Sequence, residues 1–277
     1  MQTSFTSAGK TIRMNRIFQA DGRAAMVAIN QGIAKGPSKG IESMKAIMEI
    51  LMPEHPDSFT IHRGMASRMV DCFGGRAALV LKSTNSTRFF RPEENPVSTV
   101  EDAVKLGADA ISVGLSMADP NEKETLIHCS KIVGEAEKYG MPTVAHAYPN
   151  GSLLTDEVRF NVENVGYAVR VALEIGIDII KSLWTGSEKT YAQIVKFGAP
   201  AKVVISGGPR CKTLRACFDM TWQGIQAGCA GITYGRNIWE HEYPAAVLRG
   251  LVAIIHKGAT VDQALEMASD LAGVKLV

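Results

Sequence analysis

The sequence lacks any run of about 18 or more apolar residues, so nothing in it reads as a bilayer-spanning helix. It lacks a charge excess too. Thirty Lys and Arg against 28 Asp and Glu leave a formal net charge of +2, which argues against nucleic acid or a membrane surface as partner. The N-terminal stretch MQTSFTSAGKTIRMNRIF has no apolar h-region and is not expected to act as a signal peptide. Cysteine is sparse. Cys72, Cys129, Cys211, Cys217 and Cys229 are odd in number and show no C-x-x-C spacing. A disulfide framework is therefore not expected, and reduced thiols in a cytoplasmic protein are, serving as small buried hydrophobes. The six histidines show neither H-x-x-x-H nor H-x-x-E-H spacing, so no metal site is expected. The first β-rich run is followed by NQGIAKGP, which is not the G-x-G-x-x-G of a dinucleotide-binding sheet.

What the sequence does contain is alternation. Short apolar or β-branched runs, bounded by Gly, Pro, Asn or Ser, fall at 24–30, 58–64, 77–82, 110–115, 142–148, 177–182, 202–208 and 231–236. Such runs suit parallel strands buried on both faces. Helix-like segments lie between most of them, including VEDAVKLGA, NEKETLIHCSKIVGEAEKYG and RFNVENVGYAVRVALEIG. The last spaces its apolar residues by three and four and stops at Gly176. Eight strands with alternating helices predict an α/β protein, a (β/α)8 barrel. The chain shows no compositional break, so residues 1–277 are expected to form one barrel domain with a short N-terminal extension. A doubly wound open sheet is the alternative. The polar segment 83–99, STNSTRFFRPEENPVST, follows the third strand and is expected to lie over the mouth.

Barrels carry their chemistry at the C-terminal ends of their strands. Those ends offer Asn30 and Gln31, His62 and Arg63, Lys82, Ser116, His146 and Tyr148, Lys181, Ser206 with Gly207 and Gly208, and Gly235 with Arg236. In IDIIKSLWTGS the lysine closes an apolar run, and lysine is rarely buried unless it is paired or used. Alternation points Lys181 inward together with Ile179 and Ile177. An amine above apolar layers loses basicity and becomes a nucleophile able to form a Schiff base with a ketone. Tyr148 ends the neighbouring strand and faces the same way as His146, from where it can pass protons. SGGPR and YGRN end the seventh and eighth strands. Loops at those places commonly build a phosphate site, with glycine letting backbone N–H groups approach the anion and Arg236 or Arg210 adding a bidentate contact.

Four segments, MPTVAHAYPNG, DIIKSLWTGS, VVISGGPR and AGITYGRNIWEHEYPAAVLRGL, carry a family resemblance that runs over nearly the whole chain. The chain resembles the class I (Schiff-base) aldolase superfamily, in the branch of archaeal-type fructose-bisphosphate aldolase and 2-amino-3,7-dideoxy-D-threo-hept-6-ulosonate synthase. The resemblance implies a (β/α)8 barrel without cofactor or metal. It places the Schiff-base lysine at Lys181, the tyrosine proton donor at Tyr148, and the phosphate-binding loops at Ser206, Gly207, Gly208, Gly235 and Arg236. It further implies a phosphorylated ketose as substrate and a ring-shaped homo-oligomer. His146, Trp184 and Gln31 are expected to contact substrate. Three positions depart from the family pattern. Asn30 stands where a first-strand aspartate is usual, Asn150 where Y-P-R-G has arginine, and Trp184 where tyrosine usually follows the lysine. Asparagine cannot accept a substrate proton. Three readings follow: a Schiff-base aldolase acting on a phosphorylated ketose, a thiolase-like acyl transfer, and a phosphosugar-binding barrel without catalysis.

Overall fold

A computed structural model describes residues 8–89 and 93–277. Residues 90–92 of the polar segment 83–99 and the first seven residues of the N-terminal stretch lie outside the described residues. Each of the eight expected runs contains a strand: β1 (Ala24–Ala28), β2 (Ser58–His62), β3 (Ala78–Lys82), β4 (Ala110–Ser116), β5 (Thr143–Tyr148), β6 (Ile179–Ser182), β7 (Lys202–Ser206) and β8 (Gly231–Tyr234). All pair in parallel, and β1 bonds both β2 and β8. The sheet is thus a closed barrel, which rules out the open-sheet alternative.

The helices form where the sequence supplies ends as well as an apolar stripe. Val162–Glu174 begins at Asn161, whose side chain accepts from the Asn164 N–H. It stops one residue before Gly176, whose φ of 90° suits glycine. Val100–Lys105 opens on a capping box between Thr99 and Asp102.

Alternation divides the strand residues into two clusters. Ile61, Leu81, Val113, Ile180 and Ile205 face the helices. Met26, Val80, Val144, Ile179 and Val204 face the barrel axis. Ile177 does not follow the expected inward direction and sits in the outer cluster. The strand starts only at Ile179, because Asp178 turns its carboxylate to accept from the Thr143 N–H and hydroxyl.

The helix Ala8–Ile17 closes the floor. Ile17 and Phe18 join the inner cluster beneath Ala24, Ala78 and Ala110. Three aspartates repeat one device there. Asp57, Asp109 and Asp178 each precede a strand and accept from a backbone N–H of the strand before it: Ala25, Leu79 and Thr143 respectively. Each ties two neighbouring strands at their buried ends, where a free N–H would be costly. Above this apolar floor the inward positions turn polar, with Ser58, Thr60, Lys82, Ser112, His146 and Lys181 all buried. That change of polarity along the axis locates the site.

Candidate active site

A cavity of about 300 Å3 opens at the C-terminal ends of β5 to β8 and β1. Lys181, Tyr148, His146, Asn30, Gln31, Ser206, Gly207, Gly208, Gly235 and Arg236 all line it. Of the eleven residues expected to react with, bind or contact the substrate, these ten therefore meet in one place.

Trp184 is the exception. Its ring packs on Tyr191 at 5.1 Å between centroids and lines a neighbouring apolar groove with Met220 and Cys211. The strand has ended by then, so alternation no longer directs residue 184 to the axis. Arg210, the alternative anion ligand, is exposed and does not line the cavity.

Lys181 is 6% exposed. Burial, reinforced by the charges of Lys82 and Arg236, pulls its amine down to about 7. Near neutral pH a large share of it is therefore unprotonated and nucleophilic. His146 pairs in register with Lys181 across β5 and β6, and burial together with the Lys181 and Lys82 charges keeps its imidazole neutral. Tyr148 stands one layer higher. Its hydroxyl donates to Ser206 Oγ at 2.9 Å, and burial holds the proton on oxygen well above the usual tyrosine range. A tyrosine so placed can give a proton and take it back without standing ionised.

The two glycine ends interlock. Arg236 Nη2 donates to the Gly208 carbonyl at 2.8 Å, and Asn237 Nδ2 to the Gly207 carbonyl at 2.8 Å. Gly208 has φ of +55°, left-handed backbone that favours glycine. At Gly235 a Cβ would come within 2.8 Å of the Ala28 carbonyl, so a side chain there would push β8 from β1. The bonds from Arg236 and Asn237 fasten the loop's carbonyls, while the Gly208 N–H donates to Ser206 Oγ at 3.4 Å and the Cys211 N–H to Asn237 Oδ1 at 2.8 Å.

Asn30 is fixed through its main chain. Asn85 Nδ2 donates to the Asn30 carbonyl at 3.1 Å and also to His62 Nε2 at 2.8 Å. His62 Nδ1 in turn donates to the Lys82 carbonyl at 3.1 Å. Burial lowers His62 to about 4, consistent with a neutral ring that accepts at Nε2. The side-chain Oδ1 of Asn30, by contrast, is buried without a hydrogen-bond partner among the described residues, and so is Oδ1 of Asn150. Both residues line the cavity. Unpaired buried acceptors at a cavity wall are acceptors kept for a ligand.

Sequence reasoning missed Arg159, Phe160, Thr233 and Asn237 on the cavity wall. Arg159 and Phe160 come from the long connection after β5, whose irregular course carries no periodic signal. Thr233 was legible, since alternation in β8 points it inward. Lys82 was noted only as a strand end. It is 1% exposed and pairs with Glu94 at 3.3 Å. Among the described residues no three His, Cys, Asp or Glu side chains converge to hold a metal ion.

The family model described as DeoC/LacD family aldolase matches residues 24–241. The 2-amino-3,7-dideoxy-D-threo-hept-6-ulosonate synthase of Halobacterium salinarum is 29% identical over 266 residues, covering 95% of this chain and 97% of that protein. The class 1 fructose-bisphosphate aldolase of Thermoproteus tenax is 29% identical over 267 residues, covering 94% and 100%. A crystal structure of an archaeal fructose 1,6-bisphosphate aldolase superposes with a TM-score of 0.83 at 28% identity, over 90% of this chain and 100% of that one. An archaeal fructose-1,6-bisphosphate aldolase whose catalytic lysine is covalently bound to the carbinolamine intermediate superposes at 0.82, also 28% identical, over 89% and 99%. With the family model spanning all eight strands and the mouth they enclose, the chain belongs to the DeoC/LacD family of aldolases.

Proposed function

We propose that the protein is a Schiff-base aldolase acting on a phosphorylated ketose, with Lys181 as nucleophile. One observation carries the reading: a buried amine held near neutrality opens onto a cavity it shares with a protonated tyrosine and a glycine-lined cradle. The amine adds to the ketone carbonyl, and loss of water leaves an iminium. The iminium draws electrons from the adjacent carbon, so the next C–C bond breaks or forms. Tyr148 hands protons to and from the carbon next to the imine. Ser206, Gly207, Gly208, Gly235 and Arg236 hold the phosphate. Gln31, Asn30 and His146 contact the substrate's hydroxyls. The relatives' substrates, fructose 1,6-bisphosphate and a deoxy-heptulosonate precursor, name the first compounds to test.

Asn30 favours a second reading, thiolase-like acyl transfer on a phosphorylated diketone, because the usual first-strand carboxylate is missing there. The third reading, a binding-only barrel, gives no use to a lysine at about 7. The proposal extends to the setting. The five free cysteines fit a reducing cytoplasm, and the family resemblance supports a ring-shaped homo-oligomer, which sedimentation would size.

Borohydride reduction in the presence of dihydroxyacetone phosphate or fructose 1,6-bisphosphate tests the reading. It predicts one stable adduct on the peptide carrying Lys181, absent in Lys181→Met, together with triose phosphate released from the bisphosphate. An adduct with a phosphorylated diketone and none with any ketose phosphate would favour acyl transfer.

A further inference from the structure

Among the described residues no acidic residue lines the cavity, although C–C cleavage beside an iminium needs a group to take the hydroxyl proton. Asn30 cannot take it. Most carboxylates buried among the described residues are committed elsewhere. Asp57 and Asp109 bond strand backbone at the floor, and Glu54 is clamped by Arg249. Asp119 accepts from the Asn121 N–H.

Glu94 differs. It belongs to the polar segment 83–99, and Thr84–Asn85 pairs with Asn95–Pro96 as a short antiparallel ladder that folds Glu94 back towards β4. Gly114 lies on the inward face of β4, between the outward Val113 and Leu115. A Cβ at Gly114 would overlap the carboxyl carbon and both oxygens of Glu94. The Glu94 carboxylate thus occupies the place of a β4 side chain inside the barrel. Gly114 pairs with His146, and His146 with Lys181, so all three positions lie in one row. The row spans two strand spacings, about 10 Å. Glu94 does not itself line the cavity, so a substrate meets its carboxylate by extending past His146, which does. Glu94 Oε2 accepts from Thr84 Oγ1 at 2.6 Å and from Lys82 Nζ at 3.3 Å. Among the described residues Oε1 accepts from none. The charge of Glu94 also contributes to the upward shift of Tyr148, so the carboxylate acts on the space that Tyr148 faces.

We propose that Glu94 is the proton acceptor of C–C cleavage, lowered into the barrel over Gly114 and held by Thr84 and Lys82. The inference rests on the aldolase reading above. In the step, Glu94 Oε1 takes the proton from the hydroxyl on the carbon beyond the breaking bond. The pair left on that oxygen closes the C=O bond of an aldehyde, the C–C bond breaks, and its pair moves through the adjacent carbon onto the iminium nitrogen, giving an enamine. Tyr148 protonates the enamine carbon, and water releases the ketone and the Lys181 amine. Glu94 returns its proton, and Tyr148 regains one, through solvent.

The test compares the wild type with Glu94→Gln and Glu94→Ala. Trapping with dihydroxyacetone phosphate needs the imine but not the acceptor; cleavage of fructose 1,6-bisphosphate needs both. Glu94→Gln should trap the adduct within about twofold of the wild type while cleavage falls by roughly 10²–10⁴-fold. Added formate should partly restore cleavage in Glu94→Ala, which a merely structural role would not allow. Lys82→Met combined with Glu94→Gln removes the buried pair together and gives the same pattern if the single variant folds poorly. An adduct in every variant with wild-type cleavage in Glu94→Gln overturns this assignment alone. A wild type that traps no ketose phosphate overturns the aldolase reading, and this assignment with it.

Discussion

The two ends of the barrel carry similar residue types in opposite states. The floor opens on a cavity of about 820 Å3 lined by Asp57, Asp109, Arg16 and His256. The mouth cavity is smaller, about 300 Å3. At the floor the charges are spent. Asp109 bonds the Leu79 N–H and Arg16, and Asp57 bonds the Ala25 N–H, Gln19 and His256. At the mouth, among the described residues, Lys181 has no carboxylate partner, and Asn30 Oδ1 and Asn150 Oδ1 have none to bond. On the proposed reading, unpaired polarity and not volume marks the substrate's place. The floor's polar groups fasten strands, whereas the mouth's are left open at a cost in stability.

The contrast breaks hardest at Tyr148. Tyr148→Phe keeps the cavity shape and Lys181. It should lower steady-state cleavage of fructose 1,6-bisphosphate by about 10²–10⁴-fold while leaving the borohydride adduct intact. A matched floor variant, His256→Leu, should leave turnover unchanged.

A smaller effect is expected at Asn30. Asn30→Asp adds a carboxylate to the cavity wall and should raise cleavage of fructose 1,6-bisphosphate about fivefold in steady-state assays, a modest gain if another acceptor already serves. No change on any phosphosugar tested would remove Asn30 as the cause of altered specificity.

The smallest effect concerns stability. Burial lowers His256, but hydrogen bonds and charge from Asp57 and Asp21 outweigh it, and the net shift is upward. A histidine raised by folding stabilises fully below its unfolded value of about 6.5, and the contribution is lost as pH rises through the raised folded value. His256→Leu should therefore cost about 1–2 kcal/mol in urea unfolding at pH 5.5 and less at pH 9. An equal loss at both values would show that the ring acts by packing alone.

The barrel was legible because its strands are buried on both faces, and each therefore reads as a short apolar run between turn residues. Lys181 and Tyr148 were legible because a polar residue ending such a run is conspicuous. The glycine ends were legible because SGGPR and YGRN fall where two successive strands stop. Trp184 stands in an adjoining groove that shares Ser206, Gly207 and Gly208 with the cavity, for a physical reason: alternation gives direction only within a strand, and β6 ends at Ser182. The same limit misdirected Ile177, which precedes the strand. Glu94 carried no local signal at all. Its place over Gly114 goes with a ladder that pairs Thr84–Asn85 with Asn95–Pro96 next to it, a contact between separated positions that no periodicity encodes.

The account's central claim is that the barrel keeps Lys181 neutral enough to attack a ketone. Its most direct test is the rate of adduct formation with dihydroxyacetone phosphate from pH 5 to 10, read by reduction and intact mass, with Lys181→Met as the blank. The predicted rate rises with pH and reaches half its limit near 7, with every adduct on Lys181. A midpoint near the ordinary lysine value of about 10.4, or an adduct that persists in Lys181→Met, would contradict the claim.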